Sequence, residues 1–433
     1  MNRATAVPAT VLTLLVAFLF SGVGRVPFHP DETSLLFESR DLELYLTDPR
    51  SMAWSEAGRG RAEQEYRALN APLSKYVLGI GRRLAGHGPD EVGVDWDWSL
   101  SWEENRLRGA LPATDVLVPA RLASTSLVAA ALVLMYLCGL RLGGRSTGLV
   151  SAVLLGLNAL VLLHGRRAMA EGTLIFAVCL GMWGILQADR RPWLAGLATA
   201  LAFSAKHTAL PLLPLGLLAV LWRGPSASPA PFARHAAQSS AVYLGTAALV
   251  VMAMNPLLWS DPLASGMEAL RARQALVQEQ IRAQAEHSAL RLPMTGVDSL
   301  SALIAQIFLT PLQFEELPNY AENLSQSVAG YLQNPLHSML RGWISGALLM
   351  GLTLAGMFFG LARLRTAAQP VRRDFGLLLL TTLAQAVVLL LALPFPYQRY
   401  YLPLVPLCVL WAAFALRQLA LLLMKRLPIR RAA

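Results

Sequence analysis

The residues best equipped for chemistry begin at Phe28-His29-Pro30-Asp31-Glu32, directly after the apolar run Ala6 to Val23. Two adjacent carboxylates where a chain leaves an apolar segment are a candidate functional site, because ionisable groups at a membrane boundary usually serve a wet cavity or a substrate. Such a carboxylate can take a proton from an attacking hydroxyl. The same pair could instead cap the helix that follows, and position alone weighs the two readings equally. Further polar groups recur at the ends of apolar runs: Asn70-Ala-Pro-Leu-Ser-Lys75, Arg121, Arg166-Arg167-Ala-Met-Ala-Glu171, Lys206-His207, Asn255 to Pro262, and Tyr397-Gln-Arg399-Tyr-Tyr401. Cations of this kind hold phosphate through charge-assisted hydrogen bonds. Each also has a plainer reading. Arg166 and Arg167 could snorkel to head groups. His207 could satisfy a turn, and Lys75 and Arg399 could meet lipid. Trp259 and the nearby tyrosines suit an aromatic belt. The acidic run Asp90–Glu104, with Trp96, Trp98 and Trp102, reads as a solvated loop or as the lining of an acceptor entrance.

The elements that must position these residues are apolar helices. The 433 residues are 55% hydrophobic and 15% charged, against about 25% charged in soluble domains. The fold class is therefore an all-α polytopic membrane protein, read as one transmembrane domain over 1–433 without a separate soluble domain. Runs of roughly 20 residues mark crossings. They fall at 6–23, 118–140, 146–163, 172–188, 193–206, 208–222, 236–256, 342–361, 375–393 and 400–424, about ten in all. The fifth and sixth are short and read equally as a re-entrant pair. No cleavage site of the small-residue type follows the first run, which argues against a removed signal peptide. Cys138, Cys179 and Cys408 lie inside apolar runs and read as packing residues.

Net charge is +10, but the cations sit in short gaps between apolar runs, which excludes a nucleic-acid partner. Arg141 and Arg145, Arg190 and Arg191, Arg223 and Arg234, Arg363 to Arg373 and the tail Lys425 to Arg431 occupy alternate gaps. The positive-inside rule puts those gaps and both termini in the cytoplasm. The outer side then carries two long loops, 24–117 and 257–341, together with all the polar groups named above. Within the loops, Thr33–Leu46 and Pro72–Leu84 have helical spacing. Leu263, Met267, Leu270, Val277 and Ile281 line one face of a helix able to lie in the interface, opposite Arg271, Gln278, Arg282 and Glu286. Gly224–Pro231 reads as a spacer. There is no Walker, Rossmann or zincin motif.

Taken together and in order, these motifs resemble the GT-C type polyprenyl-phosphate-sugar glycosyltransferases, a group that includes protein O-mannosyltransferases and lipid A aminoarabinose transferases. His29-Pro-Asp-Glu32 resembles their acidic motif. Asn70-Ala-Pro-Leu-Ser-Lys75 is similar to their Pro-Pro-Leu-x-Lys stretch, and Pro119-Ala-Arg121-Leu122 to the opening of their second span. Arg167-Ala-Met169-Ala-Glu171, Phe203-Ser-Ala-Lys206-His-Thr208 and Arg399-Tyr-Tyr-Leu-Pro403 match three further stretches. Ala71 departs from the family's second proline. No soluble domain follows the last span and no sugar-binding insert is evident in the second loop.

The resemblance implies transfer of a sugar from a polyprenyl-phosphate-linked donor to a hydroxyl of a lipid, glycan or protein acceptor. The site would face the periplasm or exterior of a bacterial cytoplasmic (inner) membrane. It implies Asp31 as general base, with Glu32 positioning the acceptor or substrate or assisting the base. Lys75, Arg121, Lys206 and Arg399 would grip the donor phosphate. Glu171, His29 and Arg167 would position substrate. A divalent metal is compatible with such a site, but no ligand set in the sequence requires one. The competing classes are a lipid or sugar transporter or flippase, a surface-polysaccharide polymerase or ligase, and a non-catalytic subunit with the same fold. Transporters usually place polar groups near the membrane midplane, and here they gather at one face.

Overall fold

The computed structural model describes residues 3–222, 229–285, 292–317 and 320–426. The 224–228 part of the proposed spacer, Arg223, Glu286 and the tail beyond 426 lie outside them. Among the described residues there are helices and no strands. In the first third, α1 (Arg3–Ser21) precedes the loop helices α2 (Pro30–Glu38), α3 (Asp41–Thr47), α4 (Ala62–Leu69), α5 (Pro72–Leu84) and α6 (Trp102–Leu107). Next come α7 (Thr114–Gly143), α8 (Arg145–Gly156), α9 (Ala159–Gly165), α10 (Ala170–Gln187), α11 (Pro192–Ala205), α12 (Leu212–Leu221) and α13 (Pro229–Met254). The second long loop holds α14 (Pro262–Ala285), α15 (Val297–Ile304) and α16 (Ala321–Leu332), before α17 (Gly342–Thr366), α18 (Gln369–Ala392) and α19 (Val405–Arg426).

Among the described residues seven helices are long and apolar enough to cross a membrane, and α8 with α9, bent by 58°, counts as an eighth if taken as one span. The break falls at Asn158, whose side chain accepts the Leu160 and Val161 amides and restarts the helix. The expected ten spans therefore reduce to seven or eight by length. The remaining two, α11 and α12, are 14 and 10 residues long, or roughly 21 and 15 Å at 1.5 Å per residue. They nevertheless run between the two polar layers that bound α10. Lys206 at the end of α11 meets Glu171 at the start of α10. At the other layer Arg373 donates to Leu186, Ala219 and Trp222 carbonyls, at 3.3, 2.9 and 3.0 Å. It thereby caps the C-terminal ends of α10 and α12, where cations are favoured.

This second layer also holds Arg141, 2.7 Å from Asp374, and Asp189, 3.5 Å from Arg373. Arginines from two alternate gaps, Arg141 and Arg373, thus meet Asp189 from a third at one end of the bundle, opposite the acidic motif. The three cysteines are buried and free. In the first loop, the stretch read as one helix from Thr33 divides at Ser39-Arg40 into α2 and α3, whereas Pro72–Leu84 is α5 to the residue. Along α14, Leu263, Met267 and Leu270 stay exposed, while Ile281 packs on the bundle core.

Glycines allow α17 to touch its neighbours. A Cβ at Gly356 would meet the Trp411 carbonyl oxygen of α19 at 2.0 Å, whereas one at Gly351 would meet nothing within 4 Å. Gly356→Ala should therefore lower the unfolding temperature in detergent, since overpacking costs about 1–3 kcal/mol. Gly351→Ala should leave it level or raise it slightly, because alanine suits a helix interior better than glycine. Equal shifts for the two would show that the α17–α19 contact is not this close.

Candidate active site

The acidic motif sits at the N-terminus of α2, with Pro30 at its first position. The His29 Nδ1 accepts the Asp31 amide at 3.1 Å, and Glu32 Oε2 accepts the His29 amide at 3.1 Å. The capping reading therefore applies to Glu32. Its carboxylate is fully buried and takes Arg121 Nε at 2.7 Å, Arg121 Nη2 at 2.6 Å and the Ala168 amide at 2.7 Å. Burial opposes its charge, but Arg121, Arg167 and the Ala168 amide outweigh that and hold its pKa below the ordinary value. Arg121 also donates to the Val23 and Val26 carbonyls, so both partners are committed.

Asp31 is different. Its side chain is 28% exposed and hydrogen-bonded to Arg399 from the other end of the chain. Burial again opposes ionisation, and Arg399 and His29 overcome it, so the carboxyl lies below the usual aspartate range. Arg399 also reaches Glu316, Nε to Oε1 at 3.0 Å, and Glu316 Oε2 is 2.7 Å from His29 Nε2. Arg399 thus bridges two carboxylates. Glu316, buried and held well below its ordinary pKa chiefly by Arg399 and His29 against burial, is the residue the sequence reading missed. The signal was present, since Glu315-Glu316 is another adjacent carboxylate pair in a long loop.

A second ion pair, Lys206 Nζ to Glu171 Oε1 at 2.5 Å, lies alongside. The Lys206 ammonium and the Arg399 guanidinium stand 5.3 and 5.4 Å from the centroid of one ring, Tyr400. Glu171 Oε2 has no hydrogen-bond partner among the described residues. Arg167 is buried and joins the two long loops, donating to Pro27 O and Phe314 O, each at 3.0 Å. Arg166 does not snorkel: it is buried, bonded to the Phe18 and Leu19 carbonyls and to His337.

Lys75 is placed differently from the expectation for a phosphate ligand. It is 1% exposed, 2.8 Å from Glu38 and 3.7 Å from Asp41, and it donates to Tyr66 O. Arg121 is likewise enclosed. The structure brings His29, Asp31, Glu316 and Arg399 together with Lys206 and Glu171. Arg121 and Glu32 form the support beneath them, and Lys75 belongs to a separate pair that ties α5 to α2. Among the described residues no group of three or more His, Cys, Asp or Glu side chains is arranged to hold a metal ion. The donors around Asp31 do not fit one, because a guanidinium already bridges its carboxylate to Glu316 and His29 Nε2 is committed.

Residues 61–225 match the family model of dolichyl-phosphate-mannose-protein mannosyltransferase. The chain shares its fold with ArnT from Cupriavidus metallidurans in the apo state, at 12% identity and TM-score 0.52, over 98% of this chain and 63% of that one. It also matches the Archaeoglobus fulgidus oligosaccharyltransferase solved with Zn and sulfate, at 13% identity and TM-score 0.52, over 96% and 50%. The chain spans between half and 63% of the lengths of these two proteins. No curated protein sequence matches it.

Removing one partner of a buried ion pair costs about 3–5 kcal/mol, so Arg121→Met should destabilise the protein by that order in chemical denaturation, and Arg121→Met with Glu32→Gln should recover part of the loss. The Glu32 pKa is depressed on folding. Its contribution is therefore present above the unfolded value of 4.5 and is lost as pH falls through the lower folded value. Glu32→Gln should flatten that acid-side loss in a pH series. An unchanged pH profile would remove Glu32 from this role.

Proposed function

We propose, starting from the GT-C membrane fold that this chain has, that it is a membrane glycosyltransferase. It moves a sugar from a polyprenyl-phosphate carrier to an acceptor hydroxyl with Asp31 as general base. The observation that carries this reading is the contrast among the clustered carboxylates. Asp31 is 28% exposed, while the side chains of Glu32, Glu171 and Glu316 are at 0, 1 and 7%. One carboxylate is open to a substrate in a site whose others are structural. The family model over 61–225 supports the same chemistry.

In this reaction the acceptor oxygen attacks the anomeric carbon as the bond to the carrier phosphate breaks. The phosphate leaves with the bonding pair, and Asp31 takes the acceptor's proton. Attack opposite the leaving group inverts the configuration. Arg399 and Lys206, flanking Tyr400, are the cations placed to meet the leaving phosphate, whose growing charge rewards preorganised donors. They exchange part of their pairing with Asp31, Glu316 and Glu171 for the phosphate. A depressed pKa suits this role for Asp31, because an ionised carboxylate needs only to collect a proton that is already leaving late in the reaction. His29, Glu316 and Arg167 are positioning residues for Arg399 and the motif, as are Glu32 and Arg121 for the helix start. The finer choice between hexosyl and pentosyl donors is set by contacts beyond these groups.

With reconstituted protein and a radiolabelled polyprenyl-phosphate sugar, Asp31→Asn should lower kcat by about 10²–10⁴-fold, the usual contribution of a general base, with donor binding retained. Lys206→Ala should act mainly on the donor KM. In the wild type the acid limb of kcat/KM should fall below the ordinary aspartate value of 3.8. Full turnover by Asp31→Asn would end its assignment as base.

Orientation can be read separately. The reading places the Asp31 layer in the periplasm of a bacterial inner membrane and both termini in the cytoplasm. A cysteine at Ser99, an exposed first-loop position, should react with an impermeant maleimide in intact cells, and one at exposed Thr366 should react only after lysis. The reverse pattern would invert the topology and the donor's side with it.

A further inference from the structure

Beside the acidic motif five aromatic rings gather from both outer loops. Phe28, immediately before His29, lies 5.8 Å from Trp102 and 6.3 Å from Trp96. Trp96 is 5.5 Å from Trp102 and 6.4 Å from Trp98, and Tyr320 is 6.1 Å from Trp98 and 6.3 Å from the His29 ring. Trp98 is 39% exposed. Trp96 is 4% exposed, and its indole N–H has no acceptor among the described residues. Charged pairs border the rings on the same segment: Asp97 with Arg108 at 3.0 Å, and Glu103 with Arg106. Packing between the loops accounts for the buried rings. It does not account for an open tryptophan face ringed by charges, or for a buried donor left unpaired.

We propose that this cluster is a carbohydrate-stacking subsite and that the acceptor is therefore a glycan, an inference that rests on the glycosyltransferase reading above. A pyranose ring presents an apolar C–H face and a polar rim of hydroxyls. The C–H face packs on the electron-rich face of an indole, and the hydroxyls of the rim donate to carboxylates and accept from guanidinium groups and a free indole N–H. The surface here alternates in just that way. A peptide acceptor would need backbone partners, and a lipid would need a continuous apolar track without the Asp97–Arg108 and Glu103–Arg106 pairs. The geometry also connects the subsite to the chemistry. Tyr320 stands between Trp98 and His29, and His29 holds Glu316, which shares Arg399 with Asp31. A short saccharide seated on Trp98 can direct its terminal hydroxyl toward Asp31.

The test uses the full chain in lipid nanodiscs with mannotriose, cellotriose and chitotriose as probes, followed by saturation-transfer NMR and tryptophan fluorescence. At least one trisaccharide should bind with saturation strongest on its C–H face. Trp98→Ala should weaken that binding at least tenfold, and Trp98→Phe should keep most of it. The exposure of Trp98 makes loss of folding a poor explanation for a defect, and the phenylalanine variant controls for it. Absence of binding by all three, or equal binding by Trp98→Ala, would overturn the proposal, as would a serine-containing peptide binding at Trp98 in place of the saccharides. Donor hydrolysis on the same samples reports the other reading separately. Hydrolysis without saccharide binding sinks the subsite alone. Saccharide binding without any donor turnover upholds the subsite and counts against the glycosyltransferase assignment.

Discussion

The buried pair of Glu32 and Arg121 is the constraint on which the rest of the site depends. Taking two charges out of water costs several kcal/mol per ion unless every oxygen and N–H finds a partner. Here both Glu32 oxygens and four of the five Arg121 N–H groups do: Glu32 accepts from Arg121 twice, from the Ala168 amide and from the His29 amide, and Arg121 Nη1 donates to the Val23 and Val26 carbonyls. That one pair fastens the exit of α1, the start of α2, the flank of α7 and the turn between α9 and α10. Asp31 precedes Glu32 on the same first turn. Its direction is therefore inherited from a neighbour that has no freedom left, which is how a residue at a loop's beginning can be held as firmly as one on a rigid element.

The same economy governs the other charges. Arg399 answers Asp31 and Glu316, Lys206 answers Glu171, and Lys75 answers Glu38. These pairs differ in what they can release. Lys75 and Glu38 are 1 and 2% exposed, and separating them would strand two charges, so they serve as a strut between α5 and α2. Lys206 is 23% exposed and Arg399 shares itself between two carboxylates. On the proposed function, an arriving phosphate would take over part of their bonding without leaving a carboxylate wholly uncompensated. Exchangeable and fixed pairs lie side by side, and exposure separates them.

Much of this was legible in the sequence because the signals are local. Apolar run length located the bundle, and alternation of cations between gaps put Arg141, Arg373 and their neighbours at one end, where the structure joins them through Asp374 and Asp189. Proline at position 72 started α5 as read. What escaped depends on long-range partners. Nothing in Lys75 or in its neighbouring residues reveals Glu38 across the α2–α5 contact, so a buried strut looked like an open cation. The capping and catalytic readings of Asp31-Glu32 appeared to compete because sequence cannot assign them to separate residues. In the structure Glu32 carries the reciprocal cap and the Arg121 pair, and Asp31 is left to the solvent-facing side. Glu316 went unnoticed because its partners are 287 and 83 residues away, His29 before it and Arg399 after.

Those separations bear on how the site comes into being. The first long loop can place Asp31 from contacts with α1, α7 and the α9–α10 turn alone. Arg399 arrives from the last membrane segment, and Glu316 and Phe314 from the second long loop. Three links close the seam: Arg167 between Pro27 O and Phe314 O, His29 with Glu316, and Arg399 with both carboxylates. Each crosses between segments distant in sequence, and closing long loops is entropically expensive before the contacts reward it. The bundle and its Glu32–Arg121 anchor can therefore form ahead of the completed charge cluster, which assembles only once the second loop has docked. A substitution at Glu316 would remove one partner of Arg399 while leaving every hydrogen bond of the Glu32–Arg121 pair in place, so the charge cluster around Arg399 can be loosened without touching the anchor.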